Sequence, residues 1–120
     1  MKKILIADDE HKIIMTLEYT FRKAGYEVFI ARDGSEVLEL LKEETPDIIL
    51  LDIMMPNVDG YTTLQEIKKQ EKLNQSKVIF LSAKTNPADI EKGLSLGADA
   101  YVTKPYSIKK LVQQVEELLT

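Results

Sequence analysis

Five side chains that can do chemistry each follow a short apolar segment of the sequence, namely Asp8, Asp9, Asp52, Ser82 and Lys104. Carboxylates bind divalent cations and can act as nucleophiles. A lysine neutralises an anion as a point charge, and a hydroxyl donates a hydrogen bond. Each residue taken alone is better explained as a turn, capping or surface residue. Their shared position makes the set a candidate site.

Clustering of the three carboxylates would be unfavourable without a cation. Carboxylates about 5 Å apart repel by roughly 3 kcal/mol per pair at an effective dielectric near 20, whereas a divalent cation about 4 Å away attracts each by roughly 8 kcal/mol. A cluster of Asp8, Asp9 and Asp52 therefore requires protonation, Lys104 or a bound cation, and at least one carboxyl pKa should be raised. Since the ligands on offer are oxygens and the site is open to water, the favoured ion is Mg²⁺.

The elements that would bring these residues together alternate along the chain. The predicted strands are Ile4–Ala7, Tyr26–Ala31, Ile48–Leu51, Val78–Leu81 and Ala100–Val102. Helices are predicted from about Glu10 to Ala24, from an Asp33 N-cap to Leu41, around Leu64 and Ile67, from an Asn86 N-cap to near Gly97, and from a Ser107 N-cap to Leu119. Continuous apolar strands alternating with helices predict an α/β fold with an open, doubly wound, five-stranded parallel sheet. Ligands bind such sheets beyond the carboxyl ends of the strands, where the five polar residues fall.

Composition narrows the class of protein. The chain has 120 residues, the size of one domain spanning 1–120, and its net charge of −4 argues against nucleic acid or an anionic membrane as its target. It has no cysteine and one histidine, which excludes disulfides, thiolate chemistry and multi-histidine metal sites. No apolar run is long enough for a signal peptide or a membrane span, so a cytoplasmic location is expected.

Several short motifs occur in a characteristic order. These are Asp8-Asp9, Asp52 followed by Met55-Pro56 and Asp59-Gly60, then Ser82-Ala83, Gly97-Ala98 and Lys104-Pro105. Together they resemble the response-regulator receiver domain of two-component signalling, from Lys3 to Leu119. The resemblance implies the flavodoxin-like (βα)5 fold with the strand order 2-1-3-4-5.

The resemblance also implies a role for each site residue. Asp52 is similar to the phosphoacceptor that takes a phosphoryl group from a histidine kinase or a His-phosphotransfer protein. Asp8, Asp9, Asp52 and the backbone carbonyl of Met54 match the Mg²⁺ ligands, with Asp8 usually acting through water. Lys104 and Ser82 match the catalytic residues that contact the phosphoryl group. Such a domain is not an enzyme beyond its own phosphorylation and dephosphorylation.

A signalling response and a partner surface follow from the same resemblance. Ser82 and Tyr101 match the switch pair that remodels the face formed by the fourth helix, fifth strand and fifth helix for a downstream protein effector or output domain. The residues expected to contact the phosphodonor are Ile14, Pro105 and Tyr106. Ile14 is expected to be exposed, because Ile13, Leu17 and Phe21 are predicted to face inward.

Three further positions carry expectations. Asn57 and Val58 replace the more usual loop residues of the family without affecting a catalytic role. Gly93 destabilises the fourth helix by about 1 kcal/mol relative to alanine. Two explanations for a glycine at this position are easier movement of that helix and a packing constraint. Removing Lys104, taken as a loop charge, should change stability by less than about 0.5 kcal/mol.

Other functions are less consistent with the sequence. An aspartate-nucleophile phosphatase for small phosphate esters needs a second acid two residues after its nucleophile, where this chain has Met54. A flavin-binding module of the same fold needs a phosphate loop rich in hydroxyls and glycine after the first strand, where this chain has Asp8-Asp9-Glu10. A receiver-like scaffold that is never phosphorylated is the third alternative, and the intact Asp52, Lys104 and Ser82 argue against it.

Overall fold

The computed structural model describes all 120 residues as an alternation of five strands and five helices. The strands are β1 (Lys3–Ala7), β2 (Glu27–Ala31), β3 (Ile48–Asp52), β4 (Lys77–Ser82) and β5 (Ala100–Thr103). The helices are α1 (His11–Lys23), α2 (Gly34–Leu40), α3 (Gly60–Lys68), α4 (Pro87–Ser95) and α5 (Ile108–Leu119), with a 3₁₀ turn at Glu71–Leu73. The strands form one parallel sheet in the order β2-β1-β3-β4-β5, so the predicted fold is confirmed.

The side chains of the sheet divide between two apolar cores because successive residues of a strand point to opposite faces. Ile4 and Ile6 of β1 share one core with α1 and α5, while Leu5 and Ala7 share the other with α2 and α3. Burial on both faces explains why β1, β3 and β4 are nearly continuous runs of apolar residues.

Three helices begin at the predicted capping residues. Side-chain oxygens of Asp33, Asn86 and Ser107 accept backbone N–H groups of the first turn at 2.9, 2.9 and 3.2 Å. Helix α1 begins instead after Glu10, which makes no side-chain capping bond. None of the five helices has the length and apolar character needed to cross a bilayer.

Candidate functional site

The carboxyl ends of β1 and β3 bring the three aspartates together. The two strands pair with Ala7 opposite Leu51, so Asp8 and Asp52 leave the sheet side by side. Asp8 and Asp52 are buried, whereas Asp9 is exposed. One carboxylate oxygen from each of the three lies within 4.8 Å of the others. The structure therefore forms the acidic cluster that the strand-end pattern predicted.

Lys104 supplies one positive charge and neutralises this cluster in part. Its Nζ lies 3.0 Å from Asp8 Oδ2, 3.4 Å from Glu10 Oε1 and 3.6 Å from Asp52 Oδ2. Burial works to lower the pKa of Lys104, but the hydrogen bond to Asp8 and the nearby carboxylates outweigh it and raise the pKa. The side chain is only 13% exposed. Lys104 is therefore a partly buried ion-pair partner, which revises the expectation that its removal leaves stability almost unchanged.

The environment of Asp52 favours its neutral form. Burial is the largest cause and the charge of Asp8 the next, and together they raise the pKa of Asp52 to about 6, against the opposing effects of Lys104 and the Met54 N–H. That N–H donates to Asp52 Oδ1 at 3.3 Å. The rise in the pKa of Asp52 agrees with the expectation for carboxylates that lie close together, although burial contributes more to the rise than the neighbouring charges do.

The residues at this edge fit a magnesium ion. They offer carboxylate oxygens from three residues within a small volume, and oxygen is the ligand atom that Mg²⁺ prefers. A positive group already lies beside two of these carboxylates, with Lys104 Nζ 3.0 Å from Asp8 and 3.6 Å from Asp52. Met54, whose backbone carbonyl is the fourth predicted ligand, lies two residues beyond Asp52 in the loop that leaves β3.

Ser82 ends β4 next to the acidic cluster and is fully buried. Its Oγ accepts the Lys84 N–H at 3.0 Å, and its carbonyl accepts the Lys104 N–H at 2.8 Å. Because the hydroxyl is an acceptor in the first bond, its own proton remains available for donation. The sheet thus holds a hydroxyl donor and an ammonium at the strand ends that also carry the carboxylates.

Tyr101 lies half-buried against helix α4. Its hydroxyl donates to the Lys84 carbonyl at 2.9 Å, and its ring packs edge-to-face on Phe80 with centroids 6.1 Å apart. Gly93 of α4 lies directly over both rings, since a Cβ there would be 2.9 Å from Phe80 and 3.1 Å from Tyr101. Of the two explanations for this glycine, the structure supports the packing constraint.

A groove runs beside the site between α1 and the start of α5. Its volume is about 580 Å³, and it is lined by Ile13, Pro105, Tyr106 and Ile108, among others. Pro105 is exposed and Tyr106 half-buried, and burial raises the pKa of the Tyr106 hydroxyl to about 12. The structure therefore places two of the three predicted contact residues along this groove.

The prediction that Ile14, the third contact residue, is exposed is wrong. Ile14 is only 3% exposed and packs in the interior, while Ile13 is partly exposed and lines the groove. The buried stripe of α1 is Ile14, Leu17 and Phe21, with spacings of three and four residues. A stripe through Ile13 fits the helical period equally well in sequence, and the packing of α1 on the sheet selects the other phase.

Sequence reasoning missed two features of the site. Glu10 contacts Lys104, although it lay in the sequence directly after Asp8-Asp9. Asn57 donates from Nδ2 to Asp33 Oδ2 at 2.7 Å, linking the loop after β3 to the start of α2. The position of Glu10 directly after Asp8-Asp9 could have indicated its contact with Lys104. Nothing in the sequence indicated that residues 33 and 57 are in contact.

The fold and the strand-end site are those of a signalling receiver. Residues 4–116 match the family model of the response regulator receiver domain, and the chain belongs to that family. It is a receiver domain of the two-component response regulators.

Solved receiver domains superpose closely on the chain. The receiver domain of Francisella response regulator 1452 is 37% identical, with a TM-score of 0.91 and coverage of 99% of this chain and 97% of that one. The chemotaxis response regulator CheY4 of Vibrio cholerae is 28% identical, with a TM-score of 0.93 and 99% coverage of both chains. The BeF3-activated receiver domain of DrrB is 30% identical, with a TM-score of 0.90 and coverage of 99% of this chain and 97% of that one.

Proposed function

We propose that Asp52 accepts a phosphoryl group from a phosphohistidine on a histidine kinase or His-phosphotransfer protein. The observation that carries this proposal is a buried aspartate at the end of β3, held between Lys104 and two further carboxylates. An Asp52 oxygen attacks phosphorus, the P–N bond to the imidazole breaks, and the ring nitrogen keeps the electron pair and takes a proton from water. The product is an aspartyl phosphate, a reactive mixed anhydride suited to a reversible signal.

The neighbouring residues bind and neutralise the transferred group. Asp9, Asp52 and the Met54 carbonyl would hold Mg²⁺, with Asp8 acting through water, and the ion would supply positive charge for the phosphoryl oxygens. Lys104 moves its ammonium from Asp8 to a phosphoryl oxygen as a point charge. Ser82 donates its free hydroxyl proton to another oxygen. Positioning and charge neutralisation are what phosphoryl transfer requires of the protein.

The response runs from Ser82 to Tyr101. Ser82 Oγ and the Tyr101 hydroxyl both bond to Lys84, through its N–H and its carbonyl. When Ser82 turns toward the phosphoryl group, this shared segment moves and the Tyr101 ring turns inward. The face of α4, β5 and α5 then changes shape for a downstream protein effector or output domain.

The phosphodonor docks in the groove between α1 and α5. Ile13, Pro105 and Tyr106 offer an apolar surface next to the mouth of the acidic cluster. A partner helix seated there would bring its phosphohistidine to Asp52. A cytoplasmic location is part of this proposal, because the chain must reach the catalytic domain of such a kinase.

Intact-mass measurement after incubation with acetyl phosphate tests the assignment. The wild-type chain should gain about 80 Da in millimolar Mg²⁺ and nothing in EDTA, the mass of one phosphoryl group. Asp52→Asn should gain nothing, while Asp89→Asn, a control on helix α4, should match wild type. Labelling that survives Asp52→Asn or is undiminished in EDTA would overturn the proposal.

A further inference from the structure

The loop between β3 and α3 is held at its base and at its tip. At the base, the Gly60 N–H donates to the Ile53 carbonyl at 2.8 Å and joins the two ends of the loop. Met54 lies on the outgoing limb, and Asn57 lies at the tip with a φ of 66°, in the left-handed region. This bond fixes only the two ends of a six-residue segment. The conformation of the outgoing limb, which runs from Ile53 to Asn57, therefore depends on how the tip is fixed.

A single carboxylate fixes the tip to helix α2. Asp33 Oδ2 accepts Asn57 Nδ2 at 2.7 Å, while Asp33 Oδ1 accepts the Glu36 N–H at 2.9 Å and caps the helix. The bonds from Glu36 and Asn57 lower the pKa of Asp33, so the acceptor is fully ionised at neutral pH. A hydrogen bond to an ionised acceptor is stronger than one between neutral groups.

The backbone of α2 also lies against this loop. A Cβ at Gly34 would overlap the Val58 carbonyl oxygen and the Thr63 hydroxyl. Glycine therefore lets the loop tip rest directly on the first turn of α2. Close packing and the Asn57 bond act at the same place, and both hold the tip toward α2.

We propose that Asn57, through its bond to Asp33, positions the loop limb that presents the Met54 carbonyl for Mg²⁺ binding. This inference rests on the proposed metal site. If the bond is lost, the limb samples other arrangements, and the apparent Mg²⁺ affinity falls in proportion to the fraction that remains competent. Asn57 is a positioning residue and does not itself bind the ion.

The conformation of Asn57 and its side-chain bond can be separated experimentally. Glycine adopts a positive φ more readily than asparagine, so Asn57→Gly keeps the turn and removes only the bond and the side chain. Asp33→Ser keeps a good helix cap and removes the oxygen that Asn57 uses. Asn74→Gly, at an exposed position after the 3₁₀ turn, is the matched control.

The test is a Mg²⁺ titration of the metal-free full chain, followed by amide chemical shifts, for wild type, the two single variants, the double variant and the control. Asn57→Gly should weaken Mg²⁺ binding by about two- to tenfold, the effect of one hydrogen bond on an equilibrium. The double variant should be no weaker than Asp33→Ser alone, because both changes break the same bond. Asn74→Gly should bind as wild type does, and melting temperatures recorded in parallel will report any loss of fold.

Each other outcome has a definite meaning. An Asn57→Gly variant that binds Mg²⁺ as tightly as wild type overturns the inference alone, as do independent, additive losses in the double variant. A wild-type chain that shows no Mg²⁺-dependent shift overturns the metal site and the inference with it. Failure of the acetyl phosphate experiment in a chain that does bind Mg²⁺ removes the phosphoacceptor assignment but leaves the role of Asn57 standing.

Discussion

Replacing Asp52 with asparagine should stabilise the metal-free protein at neutral pH. The Asp52 carboxylate is buried beside Asp8, and its pKa in the folded chain is raised to about 6. In the unfolded chain the same group ionises near pH 3.9. Asparagine keeps the shape of the side chain and removes the charge, so the variant tests how much the fold loses by holding that charge in place.

The size of the effect follows from the raised pKa. A pKa near 6 in the folded state, about two units above the ordinary value, corresponds to about 3 kcal/mol of lost stability once the group is ionised. Burying the asparagine amide in place of the carboxylate also costs free energy and reduces the net gain to about 1–2 kcal/mol. For a domain of this length the melting temperature should therefore rise by about 3–10 °C.

The sign of the pH dependence distinguishes this cause from others. Because the pKa of Asp52 is raised on folding, the folded state holds its proton to higher pH than the unfolded state. The contribution of Asp52 to the free energy of unfolding of wild type therefore falls as pH rises from about 4 to about 6, and it is constant above pH 6. The advantage of Asp52→Asn should be absent at pH 4 and complete at pH 7.5.

The assay is thermal unfolding in EDTA at both pH values, with Asp8→Asn as the informative comparison. Asp8→Asn also removes a charge from the cluster, but it loses the 3.0 Å ion pair with Lys104, so its gain should be smaller. Millimolar Mg²⁺ should raise the melting temperature of wild type more than that of Asp52→Asn. The reasoning is refuted if wild type is the most stable of the three in EDTA at pH 7.5, or if the gain from Asp52→Asn is the same at pH 4.

Three further substitutions give clear expectations. Lys104→Met should lower the melting temperature in EDTA because it leaves the buried Asp8 unpaired, and Mg²⁺ should restore much of the loss; an equal loss with and without Mg²⁺ would contradict the ion-pair argument. Gly93→Ala should destabilise by about 1–3 kcal/mol in urea unfolding, because overpacking exceeds the gain in helix propensity, and a more stable variant would disprove the packing role. Tyr101→Phe should cost about 0.5–1.5 kcal/mol through its lost hydrogen bond, whereas the exposed Tyr19→Phe should cost almost nothing; equal costs would assign no role to that bond.

Much of the site was predictable because it depends on strand ends rather than on side-chain detail. A buried parallel strand must be apolar along its whole length, so the polar residue that follows it marks the edge of the sheet. Asp8, Asp52 and Ser82 were placed by that rule alone. The starts of the helices at Asp33 and Asn86 could also be predicted, because a capping side chain bonds to backbone N–H groups in the first turn of the helix that it precedes.

The remaining features depend on contacts that local patterns do not encode. The spacing in α1 allowed either Ile13 or Ile14 on the buried face, and only the packing of the helix on the sheet decided between them. The contact between Asn57 and Asp33 joins segments 24 residues apart through one exposed hydrogen bond. The direction taken by the Glu10 side chain likewise followed from where Lys104 lies, on the other side of the cleft.

The placement of Lys104 has a consequence for how the protein is made. Its ammonium reaches Asp8 across 96 residues of sequence, from the end of β5 at the edge of the sheet. Synthesis from the N-terminus produces β1 and β3, with all three aspartates, before residue 104. Any folding intermediate that pairs β1 with β3 before β5 docks would therefore carry the repulsion of these carboxylates without Lys104, and protons or Mg²⁺ from the surroundings would have to balance it. Docking of β5 completes the sheet and delivers the lysine in the same step.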